Sequence, residues 1–89
     1  MKKFIYKSNL RRGRMPEWLK EITDYTLKEF NSFFSFGSKF DFEMLEWGIK
    51  EDLKLLGKEN VTAELVTDEE EMVIFVKRSG RTLISIYFK

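Results

Sequence analysis

The chain reads as an α+β domain, with two helices packed on one face of a three- to four-stranded antiparallel sheet in the order β-α-α-β-β-β. Three observations predict it. Residues 61–88 divide into three short runs rich in β-branched and aromatic residues, separated by turn signals. Residues 16–34 and 38–56 instead repeat apolar side chains at spacings of three and four. Phe4-Ile5-Tyr6 supplies a short candidate for a fourth strand. With 89 residues, 43% of them hydrophobic and 16% aromatic, the chain has the makeup of one globular domain, 1–89, without room for a second.

Residues 1–15 form a basic N-terminal arm or edge strand. Lys2, Lys3, Lys7, Arg11, Arg12 and Arg14 all precede the first acid. Residues 17–89 hold ten of the sixteen bases and all fifteen acids, a net of −5, so the overall +1 hides a basic leader on an acidic body. Pro16 suits the first position of a helix, where its missing N–H costs nothing, and Glu17 suits the positive end of the dipole. In that helix Trp18, Leu19, Ile22, Thr26, Phe30 and Phe33 share one arc, widened by Leu27 and Phe34. It should be the more buried of the two helices. Ser35 to Ser38 is the connector. Six of the nine phenylalanines fall between Phe30 and Phe42, which predicts an aromatic mini-core where the helices meet.

The second helix runs from about Lys39 to Leu56, capped by Ser38 and ended by Gly57. Its buried stripe is Phe42, Leu45, Ile49, Leu53 and Leu56, and Glu46–Lys50 is an outward i,i+4 pair. Val61 to Thr67 is the next strand. The acids Asp68 to Glu71 then mark an exposed turn, Met72 to Val76 a strand apolar on both faces, and Ser79-Gly80 a two-residue hairpin loop. That loop predicts a register opposing Val76 to Leu83, Ile74 to Ser85 and Met72 to Tyr87. Two helices cover one face. The other needs the N-terminal segment, a second subunit or a partner.

Several function classes are disfavoured at once. There is no cysteine and no histidine, hence no thiol chemistry and neither the commonest general base nor the commonest metal ligand. No phosphate loop, nucleophile elbow or metal-ligand spacing occurs, so neither cofactor nor metal is expected. The acidic run lacks the spacing and central glycine of a cation loop. No secretory signal and no apolar run of membrane-spanning length is visible, so the expectation is a cytoplasmic protein without membrane contact.

What remains is surface. Arg11, Arg12 and Arg14 around Gly13, with Lys7 and Tyr6, are a candidate partner-binding set: clustered cations beside a glycine can follow phosphates, and Phe4 and Tyr6 interleave rings that stack on bases. The plainer reading is a solvated arm, and the net acidity of the remaining chain weighs toward it. Trp47 lies off the apolar stripe of its helix, as an interface anchor would.

The inferred element order is similar to that of the RelE/ParE toxin family, in which two helices pack on a curved antiparallel sheet. In its ribosome-dependent members, basic and tyrosine side chains of the sheet act on messenger RNA. That resemblance implies an alternative RNA-binding set of Lys77, Arg78, Arg81 and Tyr87. The chain lacks the family's arginine-rich third strand and its closing His/Arg segment.

The leading expectation is therefore a small non-catalytic binding or accessory protein that occupies a surface of a protein or nucleoprotein partner. Its makeup resembles that of inhibitors and regulators from mobile elements. Nucleic acid would be contacted through the basic arm. The alternatives are a RelE/ParE-like ribonuclease toxin and a homodimer formed through the sheet.

Overall fold

The computed structural model of the chain describes residues 2–11, 13–33, 36–68 and 70–89. The elements follow the expected order: β1 (Phe4–Ser8), α1 (Glu17–Phe33), α2 (Lys39–Leu55), β2 (Val61–Thr67), β3 (Met72–Arg78) and β4 (Arg81–Phe88). They form one antiparallel sheet of four strands in the spatial order β1-β4-β3-β2. Both helices lie on the same face, and the core between them and the sheet is built from Leu19 and Leu27 of α1, Phe42, Leu45, Ile49 and Leu53 of α2, and the inward residues of every strand.

The sequence explains most of these boundaries. Ser38 caps α2 by accepting from the Asp41 N–H, while the Asp41 carboxylate accepts from the Ser38 N–H, so two orphan donors of the first turn are satisfied reciprocally. Gly57, at φ +70, ends the helix in the left-handed conformation that L-residues avoid. Ser79 and Gly80 both have positive φ, 51 and 79, which is the backbone of the tight turn that matches strand twist.

The β3–β4 register departs from the one expected. Arg78 opposes Arg81 and Lys77 opposes Thr82, as a two-residue loop requires, but Val76 then pairs with Ile84, Phe75 with Ser85 and Ile74 with Ile86. A bulge between the two halves leaves Leu83 as the extra residue. The cause is burial. The uninterrupted register would turn Ser85 into the core and Ile84 and Ile86 out of it. The slip reverses this, and Ile74, Val76, Ile84 and Ile86 are all fully buried under the helices. Ser85 and Tyr87 consequently join Phe75 on the opposite face.

Two further expectations are corrected. The phenylalanines around the helix connection do not form a mini-core: Phe33, Phe36 and Phe40 are exposed, and Phe34 lies outside the described residues. The aromatic cluster is instead Phe4, Phe42 and Phe88, with Phe4 edge-on to both partners at 5.1 and 5.0 Å. Gly37 lies against the Phe88 ring so closely that a methyl group there would overlap it. Nor is α1 the more buried helix. It buries Leu19, Thr23, Thr26 and Leu27, whereas α2 buries Asp41, Phe42, Leu45, Ile49 and Leu53. Leu56, at the end of the expected stripe, is exposed beside the helix-ending Gly57.

β1 joins the sheet at its edge rather than roofing the second face. That face carries Ile5 and Lys7 from β1, Thr62, Glu64 and Val66 from β2, Val73, Phe75 and Lys77 from β3, and Ser85 and Tyr87 from β4. No helix of the described residues is long and apolar enough to cross a membrane.

Candidate functional site

At the hairpin end of the sheet the chain brings together two basic clusters that lie far apart in sequence. Arg11 and Arg14 come from the segment between β1 and α1. Arg78 and Arg81 flank the β3–β4 turn. With Asn9, Leu10 and Thr82 they line a cleft of about 720 Å³, with no acidic side chain among the described lining residues.

Local structure holds each pair in place. The Asn9 N–H donates to the carbonyl of Leu83, the bulge residue, at 2.9 Å, and its side-chain amide donates to Ser85 Oγ at 2.8 Å. The arm is thus pinned onto β4. It then reverses through Gly13, at φ +81, where the Arg14 N–H donates to the Arg11 carbonyl at 2.9 Å. On the other side, Arg78 and Arg81 face each other as the last pair before the turn. The bulge that buries Ile84 and Ile86 therefore also presents the carbonyl that anchors the arm.

Electrostatics make this cleft distinctive. The described ion pairs are Lys20–Asp24, Lys50–Glu46 and Lys77–Glu64, so none of the four arginines is neutralised by a carboxylate among the described residues. Four guanidinium groups around one cleft repel one another, and an anion with several oxygens relieves that repulsion while accepting paired N–H bonds.

The remaining candidate residues divide among three places. Lys7 projects from β1 onto the uncovered face opposite Ser85. Tyr6 turns the other way: it is half-buried on the helix side, and its hydroxyl donates to Asp24 at 2.9 Å. Burial, then the Asp24 hydrogen bond and charge, raise its pKa. Phe4 is 1% exposed, so neither ring of β1 is presented for base stacking. Arg12 lies outside the described residues.

Trp47 is 59% exposed on the solvent side of α2, one helical face with Phe40 and Met44. Lys77 sits on the uncovered sheet face, its ammonium 3.3 Å from Glu64 and 5.6 Å from the centre of the Phe75 ring. Tyr87 is on that same face but six residues along β4 from Arg81, about 20 Å away. The set of basic residues and tyrosine implied by the toxin resemblance is therefore not gathered at one point.

The acidic turn is a folded one. Asp68 accepts from the N–H groups of Glu70 and Glu71, and these bonds lower its pKa. Glu69 lies outside the described residues. Elsewhere Tyr25 donates to Glu29, a bond that, ahead of the nearby negative charge, raises the tyrosine pKa. Among the described residues no cluster of three or more acids is arranged to hold a metal ion.

Two contributors escape sequence reading. Asn9 fixes the cleft, and nothing in the sequence marks its partner. Phe75 lies within a continuously apolar run, which does not say which of its two faces the helices cover. Comparison with known proteins finds no family model, no characterised protein and no solved structure that matches the chain.

Proposed function

We propose that this is a non-catalytic binding protein that occupies an anionic surface of a protein or nucleoprotein partner, with the four-arginine cleft as its principal contact. The observation that carries this reading is the convergence of Arg11, Arg14, Arg78 and Arg81 with no acid among the described residues of the lining. Holding four unpaired cations together is unfavourable in the free protein, and a partner that supplies the missing charge recovers that energy on binding.

The test compares equal charge losses at two places. Wild type, the cleft variant Arg14→Ser/Arg81→Ser and the control Lys28→Ser/Lys39→Ser are eluted from immobilised heparin with increasing salt. The cleft variant should elute at clearly lower salt than wild type, and the control close to it. Equal loss in both variants would mean net charge alone is being read, and the cleft would have no special part. Messenger-length RNA incubated with the protein should stay intact. Cleavage abolished by changing Arg78 and Arg81 would replace the binding reading with the ribonuclease one.

A further inference from the structure

We infer that the partner class is a single-stranded nucleic acid, laid from the arginine cleft onto the uncovered face of the sheet, where Phe75 and Tyr87 stack on its bases. The inference rests on the cleft reading and extends it.

The two aromatic residues sit on β3 and β4, the central strands. Their neighbours along each strand, Ile74, Val76 and Ile86, are fully buried under the helices, so Phe75 and Tyr87 must point to the other side. Both are half-buried rings with nothing packed above them as an element. Phe75 opposes Ser85, which makes Tyr87 its diagonal neighbour, about 7–8 Å away across the two strands. Each ring has a lysine ammonium over it, Lys77 Nζ at 5.6 Å from the centre of Phe75 and Lys89 Nζ at 5.1 Å from that of Tyr87, so a stacking base displaces the ammonium and frees it for a phosphate. Lys7 stands next to Ser85 on the edge strand.

The cleft meets this face at Thr82, which lines it and opposes Lys77, the next residue of β3 to project with Phe75, whereas Arg78 alternates to the helix side. A strand held by the arginines therefore passes over Thr82 and Lys77 to bring a base to the Phe75 ring. Two uncovered aromatic side chains flanked by lysines, continuous with an arginine cleft, match a chain that alternates flat apolar rings with negative charges. An acidic peptide would satisfy the arginines but supplies flat rings only where it carries aromatic side chains, whereas every nucleotide carries one. A duplex keeps its bases stacked on one another, out of reach.

The acids on this face are Glu64, at the edge and already paired with Lys77, and Glu70 and Glu71, which share the far end beyond Tyr87 with Lys2 and Lys89. They end the path there and fix its direction.

The test measures fluorescence anisotropy of labelled 12-mers: oligo-U RNA, oligo-T DNA, an abasic deoxyribose-phosphate strand and a 12-base-pair duplex. Wild type should bind at least one base-bearing strand about fivefold or more tightly than the abasic strand, the margin expected of one stacked base. Whichever of RNA or DNA binds tighter identifies the natural source. Phe75→Leu and Tyr87→Leu, which keep apolar area but remove the ring, should each erase much of that margin with abasic affinity unchanged. Arg14→Ser/Arg81→Ser should weaken all the strands.

Equal affinity for abasic and base-bearing strands, a preference for the duplex, or Leu variants that keep the margin would overturn the inference. Two variants on separate strands guard against one that merely misfolds, and an unchanged melting temperature verifies each. Heparin retention without oligonucleotide binding would sink the inference and leave the cleft to an acidic protein surface. Loss of both would remove the cleft reading as well.

Discussion

Among the described residues, Thr23 is the buried side chain whose polar atom is left unpartnered. It is fully buried on α1, and its hydroxyl has no hydrogen-bond partner among the described residues. An unmade bond in the core costs about 1–3 kcal/mol of desolvation, whereas a methyl of the same shape costs nothing there. Thr23→Val should therefore stabilise the protein by about 1 kcal/mol, read as a higher urea midpoint at unchanged m-value. A lower midpoint would show that the hydroxyl has a partner in solution. Trp47 shows the same kind of local logic. Its position off the apolar stripe is visible in the sequence, and it is exposed. Tyr6 was as visible, yet its ring turns inward, because a strand residue's face depends on the register of the whole sheet.

The strands and helices show how an open sheet of this size keeps its edges closed. On β1, the Phe4 N–H donates to Asn31 Oδ1 at 2.7 Å and Asn31 Nδ2 donates to the Phe4 carbonyl at 3.0 Å. On β2, the Leu65 N–H donates to the Glu46 carboxylate and the Val61 N–H to the Lys58 carbonyl. Each helix thus lends one polar side chain to the edge nearest it, which blocks strand addition at those positions. Glu46 looked like half of an exposed helical pair. It does approach Lys50, at 3.5 Å, but its second task is to close β2. Glu46→Ala should raise amide exchange at Leu65 about tenfold, the loss of about 1.4 kcal/mol expected of a charge-assisted bond at a partly exposed site. Exchange unchanged at Leu65 would mean that the edge is protected in another way.

Element types and their order were legible because each carries its own period and its own stop signal: Ser38 and Gly57 around α2, Ser79-Gly80 between β3 and β4. The bulge was not. It follows from competition between a turn, which wants one register, and a core, which wants Ile84 and Ile86 inside. Only the assembled sheet decides that contest. The exposed phenylalanines depart from the expected mini-core for a related reason: composition counts rings but does not say which side of a helix end they occupy.

At the level of the whole molecule, a near-neutral total conceals a polar arrangement. Arginines converge at the hairpin end, acids at the opposite turn, and aromatic side chains lie uncovered between them. Neither half of the arginine cleft signals the other in sequence. Arg11 and Arg14 belong to an arm, Arg78 and Arg81 to a hairpin 64 or more residues later, and the Asn9 anchor to β4 brings them together. Such crowding should leave a thermodynamic trace. Moderate salt should raise the melting temperature of wild type, and Arg14→Ser/Arg81→Ser should be the more stable protein at low salt while binding anions more weakly. If both changed in the same direction, the arginines would be structural.

The most direct test is a backbone and arginine side-chain NMR titration of the ¹⁵N-labelled protein with the oligo-U or oligo-T strand. Shifts concentrated on Arg11, Arg14, Arg78 and Arg81 and continuing along Phe75, Lys77, Ser85 and Tyr87 are the predicted result. Shifts confined to Phe40, Met44 and Trp47 on α2, or spread evenly over every exposed lysine, would contradict it.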